Sequence, residues 1–217
     1  MKIAKFMTDK SLASVLLLTV FFITSLYQAK AQGSGTFTDP RDGETYITIK
    51  VPNKKVTWMA QNLRWRMDDG SWSYNGLTSA PYYKQFNFGR LYTWYAAIKA
   101  CPAGWRLPSD TDWDILISAF GGEENGSAFK STIGWENGGW GNGSNTSGFS
   151  GLPGGRVREG YEQYLDDHGW GFWWSSSDTG PGSGRAYYRN LVDVSRSINR
   201  TTEGKSDGMS VRCLRDD

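Results

Sequence analysis

The chain has 217 residues, with 24 Lys and Arg against 22 Asp and Glu and a formal net charge of +2. That near-balance, with no run of basic residues, excludes an electrostatic nucleic-acid surface. Eleven tryptophans and 27 glycines exclude a disordered chain and point to a loop-rich domain with broad aromatic surfaces.

The first predicted element is an export signal. Lys2, Lys5 and Lys10 precede a mostly apolar run from Leu12 to Tyr27, which closes on Ala29-Lys30-Ala31. A basic start, an apolar centre and an A-x-A site together read as a secretory signal peptide over residues 1–31, leaving 32–217 as one mature domain. The apolar run is short for a membrane span, and no later stretch is long enough for one. The signal holds four lysines and one aspartate of a chain at +2, so the mature chain stands at −1. The basic character therefore belongs to the signal.

Next come strands. Ile47, Ile49 and Val51 alternate with Thr48 and Lys50, and residues 56–60 form a short apolar run. Leu91, Trp94, Tyr95 and Ile98 then recur at helical spacing, which predicts a helix with that face inward, continued by Cys101 and stopped by Pro102. After Pro108 a second helix is predicted. Ser109 is its N-cap, Asp112 closes a shortened capping box, and Trp113, Leu116, Ile117 and Phe120 face the core. Gly121-Gly122 ends it. By this reading Asp110 and Asp112 are capping residues, and Trp58, Trp94, Trp105 and Trp113 are core.

Residues 121–155 are dense in Gly, Asn and Ser, too long for an idle connection in a compact domain. Further strands follow at 172–177 and 186–192. In the first, one of Trp173 and Trp174 must point inward and leaves the other for a ligand. At the end, Met209, Val211 and Cys213 alternate with Ser210 and Arg212, which places Cys213 on an apolar face.

Cys101 and Cys213 are the only cysteines. In an oxidising compartment such a pair is most simply a disulfide. The rival, a catalytic thiol, needs a base, and the single histidine is His168 in a Gly-flanked acidic loop. Acidic turns at Asp39, Asp42, Asp68-Asp69 and Asp166-Asp167 lack EF-hand spacing; they leave a structural calcium open and no other cofactor indicated. Carboxylate chemistry has Glu159, Glu162, Asp166 and Asp167 as its candidates. The Asn-x-Ser sequons at 125, 142 and 145 are what an Asn/Gly/Ser-rich loop contains by composition.

In order along the chain stand TFTDPRDGETY, TWMAQNL, FGRLYTW, ACPAGWRLPSDTDW, GFSGLPGGR, GFWWSSS and SVRC. This series resembles the Fibrobacter succinogenes major paralogous domain of exported bacterial proteins, over about residues 36–215. The resemblance implies an α+β, C-type lectin-like fold, with two helices on a small twisted antiparallel sheet and long Gly- and Trp-rich loops. It also implies a disulfide from the first helix to the last strand, and ligand loops at 121–155. The EPN, QPD and WND motifs of calcium-dependent sugar lectins are absent. Enzymes of the formylglycine-generating type share that fold but use a reactive cysteine pair, which the placement of Cys101 and Cys213 does not suggest.

The expected function is therefore a non-catalytic exported module binding glycans or a cell-surface protein. The alternative is a structural or adhesion component, and an enzyme is the least supported reading. Aromatic and arginine side chains carry most binding energy, so the ligand candidates are Trp135, Trp140, Arg156, Arg158, Tyr161, Tyr164, Trp170, Trp174 and Arg189. The sequence does not fix the oligomeric state.

Overall fold

The computed structural model describes residues 34–73, 86–135, 141–158, 163–167 and 169–217, with backbone alone at 163, 164, 166 and 167. The chain begins with β1 (Ser34–Thr38), β2 (Thr45–Lys50), β3 (Val56–Met59), β4 (Ser71–Ser73) and β5 (Arg90–Tyr92). Helices α1 (Trp94–Ala100) and α2 (Asp110–Ala119) follow, then a 3-10 turn over Glu123–Ala128. The remainder is β6 (Gly154–Arg158), β7 (Gln163–Asp167), β8 (Trp170–Asp178), β9 (Arg185–Val192), β10 (Ile198–Gly204), β11 (Met209–Ser210) and β12 (Leu214–Asp216).

These strands build a β-rich fold with some α+β character, larger than the small antiparallel sheet expected. One sheet has four strands in the order β1-β2-β3-β12; the other has eight, running β10-β9-β8-β11-β5-β4, with β6 on β8 and β7 on β6. The second is mixed, because β6 and β11 both run parallel to β8.

β8 is the spine. Successive side chains of a strand point to opposite faces, and here both faces are covered. Trp173 packs with Trp58, Trp113 and Phe149, whereas Trp174 packs with Tyr92, Phe172 and Met209. Both indoles are 0 % exposed. The expectation that one tryptophan of this pair is left outside is thereby corrected. Gly171 fits the same spine: a Cβ there meets the Trp173 ring at 2.4 Å.

The second helix follows its sequence signal. The Ser109 side chain accepts from the Asp112 amide, and the Asp112 carboxylate accepts from the Ser109 amide at 2.8 Å. Trp113, Leu116 and Ile117 are buried, and Gly121 and Gly122 stand at φ of 100° and 83°. Helix α1 does not present the predicted face. Leu91 belongs to β5, Thr93 caps the helix, and the buried side chains are Ala96, Ala97 and Ala100. Tyr95 and Ile98 are 56 % and 41 % exposed. The reason is space: Tyr92, Phe172, Trp174 and Met209 already fill the layer beneath the helix, so only methyl groups fit between them and its backbone.

The Ile47 alternation is likewise shared between two sides. Tyr46 is buried in one cluster and Ile49 in the other, while Ile47, between them in the strand, is 48 % exposed. At the C-terminus, Cys213 joins Cys101 across 112 positions, with Cα atoms 5.8 Å apart. The bridge ties the end of α1 to the segment between β11 and β12.

Arg212, expected on a polar strand face, is 1 % exposed. Its Nε donates to Asn62 Oδ1 at 2.6 Å, and Nη1 donates to the carbonyl of Phe149 at 2.6 Å. Nη2 reaches the Ser150 carbonyl at 3.2 Å, and the guanidinium lies 4.2 Å from the Phe149 ring centre. Burial pushes its pKa down to about 9, because the charged form has lost its water. Asn62 Oδ1 also accepts from Trp173 Nε1 at 2.9 Å, while its Nδ2 donates to the Phe88 carbonyl at 2.8 Å and to Ser210 Oγ at 3.1 Å. This buried polar knot holds segments from five parts of the chain together.

Candidate functional site

The described parts of the long segment, 121–135 and 141–155, carry several side chains into the core. Ala128, Phe129, Trp135 and Phe149 are buried. Ser147 Oγ donates to the Ala128 carbonyl at 2.7 Å, and the Gly151 amide to the Phe129 carbonyl at 2.8 Å. Trp135 is 3 % exposed and its Nε1 donates to the Gly151 carbonyl at 3.0 Å. It is a core residue, which corrects its candidacy for a ligand. Lys130, which no sequence signal singled out, is buried with its Nζ 5.1 Å from the Trp135 ring centre; burial pushes its pKa down to about 8.

Two more candidates are corrected in the same way. Trp174 is fully buried, with Nε1 donating to the Tyr92 carbonyl at 2.8 Å. Arg189 is fully buried between Asp110 at 3.0 Å and Asp114 at 2.6 Å. Asp110 is thus more than a capping residue, since it also accepts from Arg200 Nε at 2.8 Å. Trp140, Tyr161, His168, Glu159 and Glu162 lie outside the described residues. Tyr164 stands opposite Val157 in the β6–β7 pairing; its side chain lies outside the description, as do those of Asp166 and Asp167.

Of the remaining candidates, Arg156 and Trp170 both lie against Phe172 on one sheet face, whereas Arg158 stands further along β6. The alternation of β8 puts Trp170, Phe172 and Trp174 on one side. Trp170, at the strand's start, is 38 % exposed and stacks on Phe172 with ring centres 5.8 Å apart and planes at 12°. Phe172 meets Tyr188 of β9 edge-on at 5.7 Å. The pairings Phe172↔Asn190 and Trp174↔Tyr188, continued by Asn190↔Asn199 and Tyr188↔Thr201, extend this face to β10, where Asn199 and Thr201 are exposed.

Arg156 reaches over the face from β6. Its guanidinium lies 5.2 Å from the Phe172 ring centre, and Nη1 pairs with Glu203 Oε2 of β10 at 3.0 Å. The ion pair therefore spans β8 and β9 as a strap. Phe172 and Tyr188 beside it are only 2 % and 7 % exposed. Burial raises the Tyr188 pKa. Glu203 Oε1 also lies 3.6 Å from Arg185 Nη1. Arg158 is exposed at the end of β6. Phe172 and Trp170 as a same-face pair were legible in the alternation of GWGFWW; Glu203 was not, because only sheet order brings β10 to within reach of β6.

The acidic turns resolve individually. Asp39 is buried and bound by Arg41 at 2.7 Å, and Asp42 Oδ1 accepts from the Glu44 amide at 3.0 Å. Among the described residues no three His, Cys, Asp or Glu side chains gather as a metal site, and no helix is long and apolar enough to cross a membrane.

The model of the Fibrobacter succinogenes major domain matches residues 51–215. The chain belongs to this family. No curated protein and no solved structure matches it. In this major domain the segments TWMAQNL, GFSGLPGGR, GFWWSSS and SVRC supply Asn62, Phe149, Trp173 and Arg212 to the buried knot. These segments of the chain thus contribute to its core, whereas Trp170 is exposed at the start of β8.

Proposed function

We propose that this major domain is an exported, non-catalytic binding module that takes glycans on the sheet face around Trp170. The observation that carries the reading is the exposed Trp170 ring, held rigid by parallel stacking on Phe172 beside the Arg156–Glu203 strap. A flat, fixed aromatic face with a few convergent polar groups is the usual make-up of a small-ligand site. Export is supported by the signal-like residues 1–31 and by the disulfide, which belongs to an oxidising compartment. The non-catalytic reading is supported by both thiols lying in that bridge. A C-type lectin-like fold is supported by two helices on a sheet and by the tie from the end of α1 to the chain's last strands.

The test is titration of residues 32–217 with a panel of oligosaccharides, in calcium and then in EDTA. Trp170→Ala is expected to weaken binding by about thirtyfold or more, the effect of losing an aromatic anchor. Unchanged binding by that variant, with its fold intact, removes the proposal. The adhesion reading is favoured by one observation, the adjacent exposed Tyr95 and Ile98 on α1; a Tyr95→Ala, Ile98→Ser variant that loses attachment to cells while keeping glycan binding would establish it.

A further inference from the structure

We propose that the outer edge of β10 is a strand-pairing surface for a second copy of this chain, held shut by Arg185 and Glu203. The inference is independent of the glycan reading. β10 has β9 on one side only, and so ends the eight-stranded sheet there. The Lys205 amide donates to the Gly184 carbonyl at 2.8 Å, one pair beyond Gly204↔Arg185. Along an antiparallel ladder, alternate residues turn both backbone groups to the same side. Glu203, Thr201 and Asn199 therefore bond to β9, whereas Ile198, Arg200, Thr202 and Gly204 turn their N–H and C=O groups outward. Such a row is a template for another strand unless something covers it.

Both ends of the row are covered. Just before Ile198, the Arg196 carbonyl accepts from the Gly126 amide of the 3-10 turn. At the far end, Arg185 Nη2 donates to the Thr202 carbonyl at 2.6 Å and Nε to Thr202 Oγ1 at 3.2 Å, and the Gly204 amide donates to Glu203 Oε1 at 3.1 Å. Arg185 pairs with Gly204 and Glu203 with Ala186, so the two side chains leave the sheet on opposite faces. They nevertheless approach to 3.6 Å, which the register permits only around the edge. Between the covered ends, the backbone groups of Ile198 and Arg200 and the Thr202 amide have no partner among the described residues. The register open to two copies is antiparallel, with Thr201 opposite its own counterpart. It sets Arg200 against Thr202 and Asn199 against Glu203 and opposes no like charges, whereas a register centred on Arg200 opposes two guanidiniums. It needs the Thr202 carbonyl to accept from the Arg200 amide and the Gly204 amide to donate to the Ile198 carbonyl. Those are the two groups that Arg185 and Glu203 occupy.

The experiment is sedimentation velocity on residues 32–217 over about a hundredfold range of concentration, since self-association follows mass action. Wild type is expected to stay monomeric throughout. The double variant Arg185→Ala, Glu203→Ala is expected to reach twice the monomer mass within the range. Adding Thr202→Pro removes an outward amide that β9 does not use, and should return the double variant to a monomer. A double variant that stays monomeric overturns the proposal. So does a dimer that survives Thr202→Pro, because its contact then lies elsewhere. A wild-type dimer that Thr202→Pro splits overturns the guarding role of Arg185 and Glu203. Melting temperatures identify a variant that fails to fold; Arg185→Thr with Glu203→Thr, which keeps strand propensity, then takes its place.

Discussion

Replacing Asn62 by Ala is expected to come near to unfolding the domain, although the side chain touches no surface. Asn62 is 3 % exposed and makes hydrogen bonds to Trp173, Arg212, Phe88 and Ser210. Deleting its amide strands the Trp173 Nε1–H, the Phe88 carbonyl and the Nε–H of a buried guanidinium. Each such group costs about 1–3 kcal/mol, with the charged one at the upper end. Ser210 Oγ is free to turn to another partner, so the total is about 5 kcal/mol, comparable to the whole stability of many domains. Asn62→Asp is the informative control. It keeps both acceptor functions and places a carboxylate beside Arg212, losing mainly the bond to the Phe88 carbonyl, so its cost should be no more than about half as large. The assay is urea unfolding of the oxidised protein followed by tryptophan fluorescence. The midpoint should fall by about 2 M for Asn62→Ala, with an unchanged slope. A loss below about 1 kcal/mol, or Asn62→Asp as damaging as Asn62→Ala, would refute the reasoning, because Arg212 would then be held by its carbonyl contacts alone.

Two further outcomes are expected. Reducing Cys101–Cys213, which closes a loop 112 positions long, should cost on the order of 4–5 kcal/mol by chain entropy. That corresponds to a fall of about 10–20 °C in the melting temperature, and a scan that reductant does not shift counts against the bridge as a staple. On α1, Ala97→Leu should destabilise by about 1–3 kcal/mol through overpacking, whereas Tyr95→Ala should stay within about 0.5 kcal/mol. Denaturant midpoints that rank these two the other way would return the helix to the face its periodicity suggests.

What the sequence made legible was local. Ser109 and Asp112 specify a cap by their own spacing, Gly121-Gly122 stop a helix by their backbone freedom, and the chain's two cysteines find each other. Where a signal depended on a partner, it misled. The apolar periodicity at 91–98 chose the wrong side of α1, because bulky residues from three strands had already taken the space below it. Trp135, Trp174 and Arg189 read as ligand groups by type, but packing from other parts of the chain buries them. Arg212 looked like the polar side of a strand until Asn62 and the Phe149 and Ser150 carbonyls surrounded it.

By itself, then, the sequence determined the capped second helix, the cysteine pair and the family, all set by residues near one another or by their order. Only the tertiary structure decided which tryptophan faces solvent and what stands beside it. Trp170 differs from Trp174 by four positions on one face of one strand. Trp174 packs in the cluster that holds Ala96, Ala97 and Ala100 of α1 and Phe172 lies against Arg156, while Trp170 stands at the start of the strand. Exposure is set by what packs on a strand from elsewhere in the chain, and no local pattern encodes that.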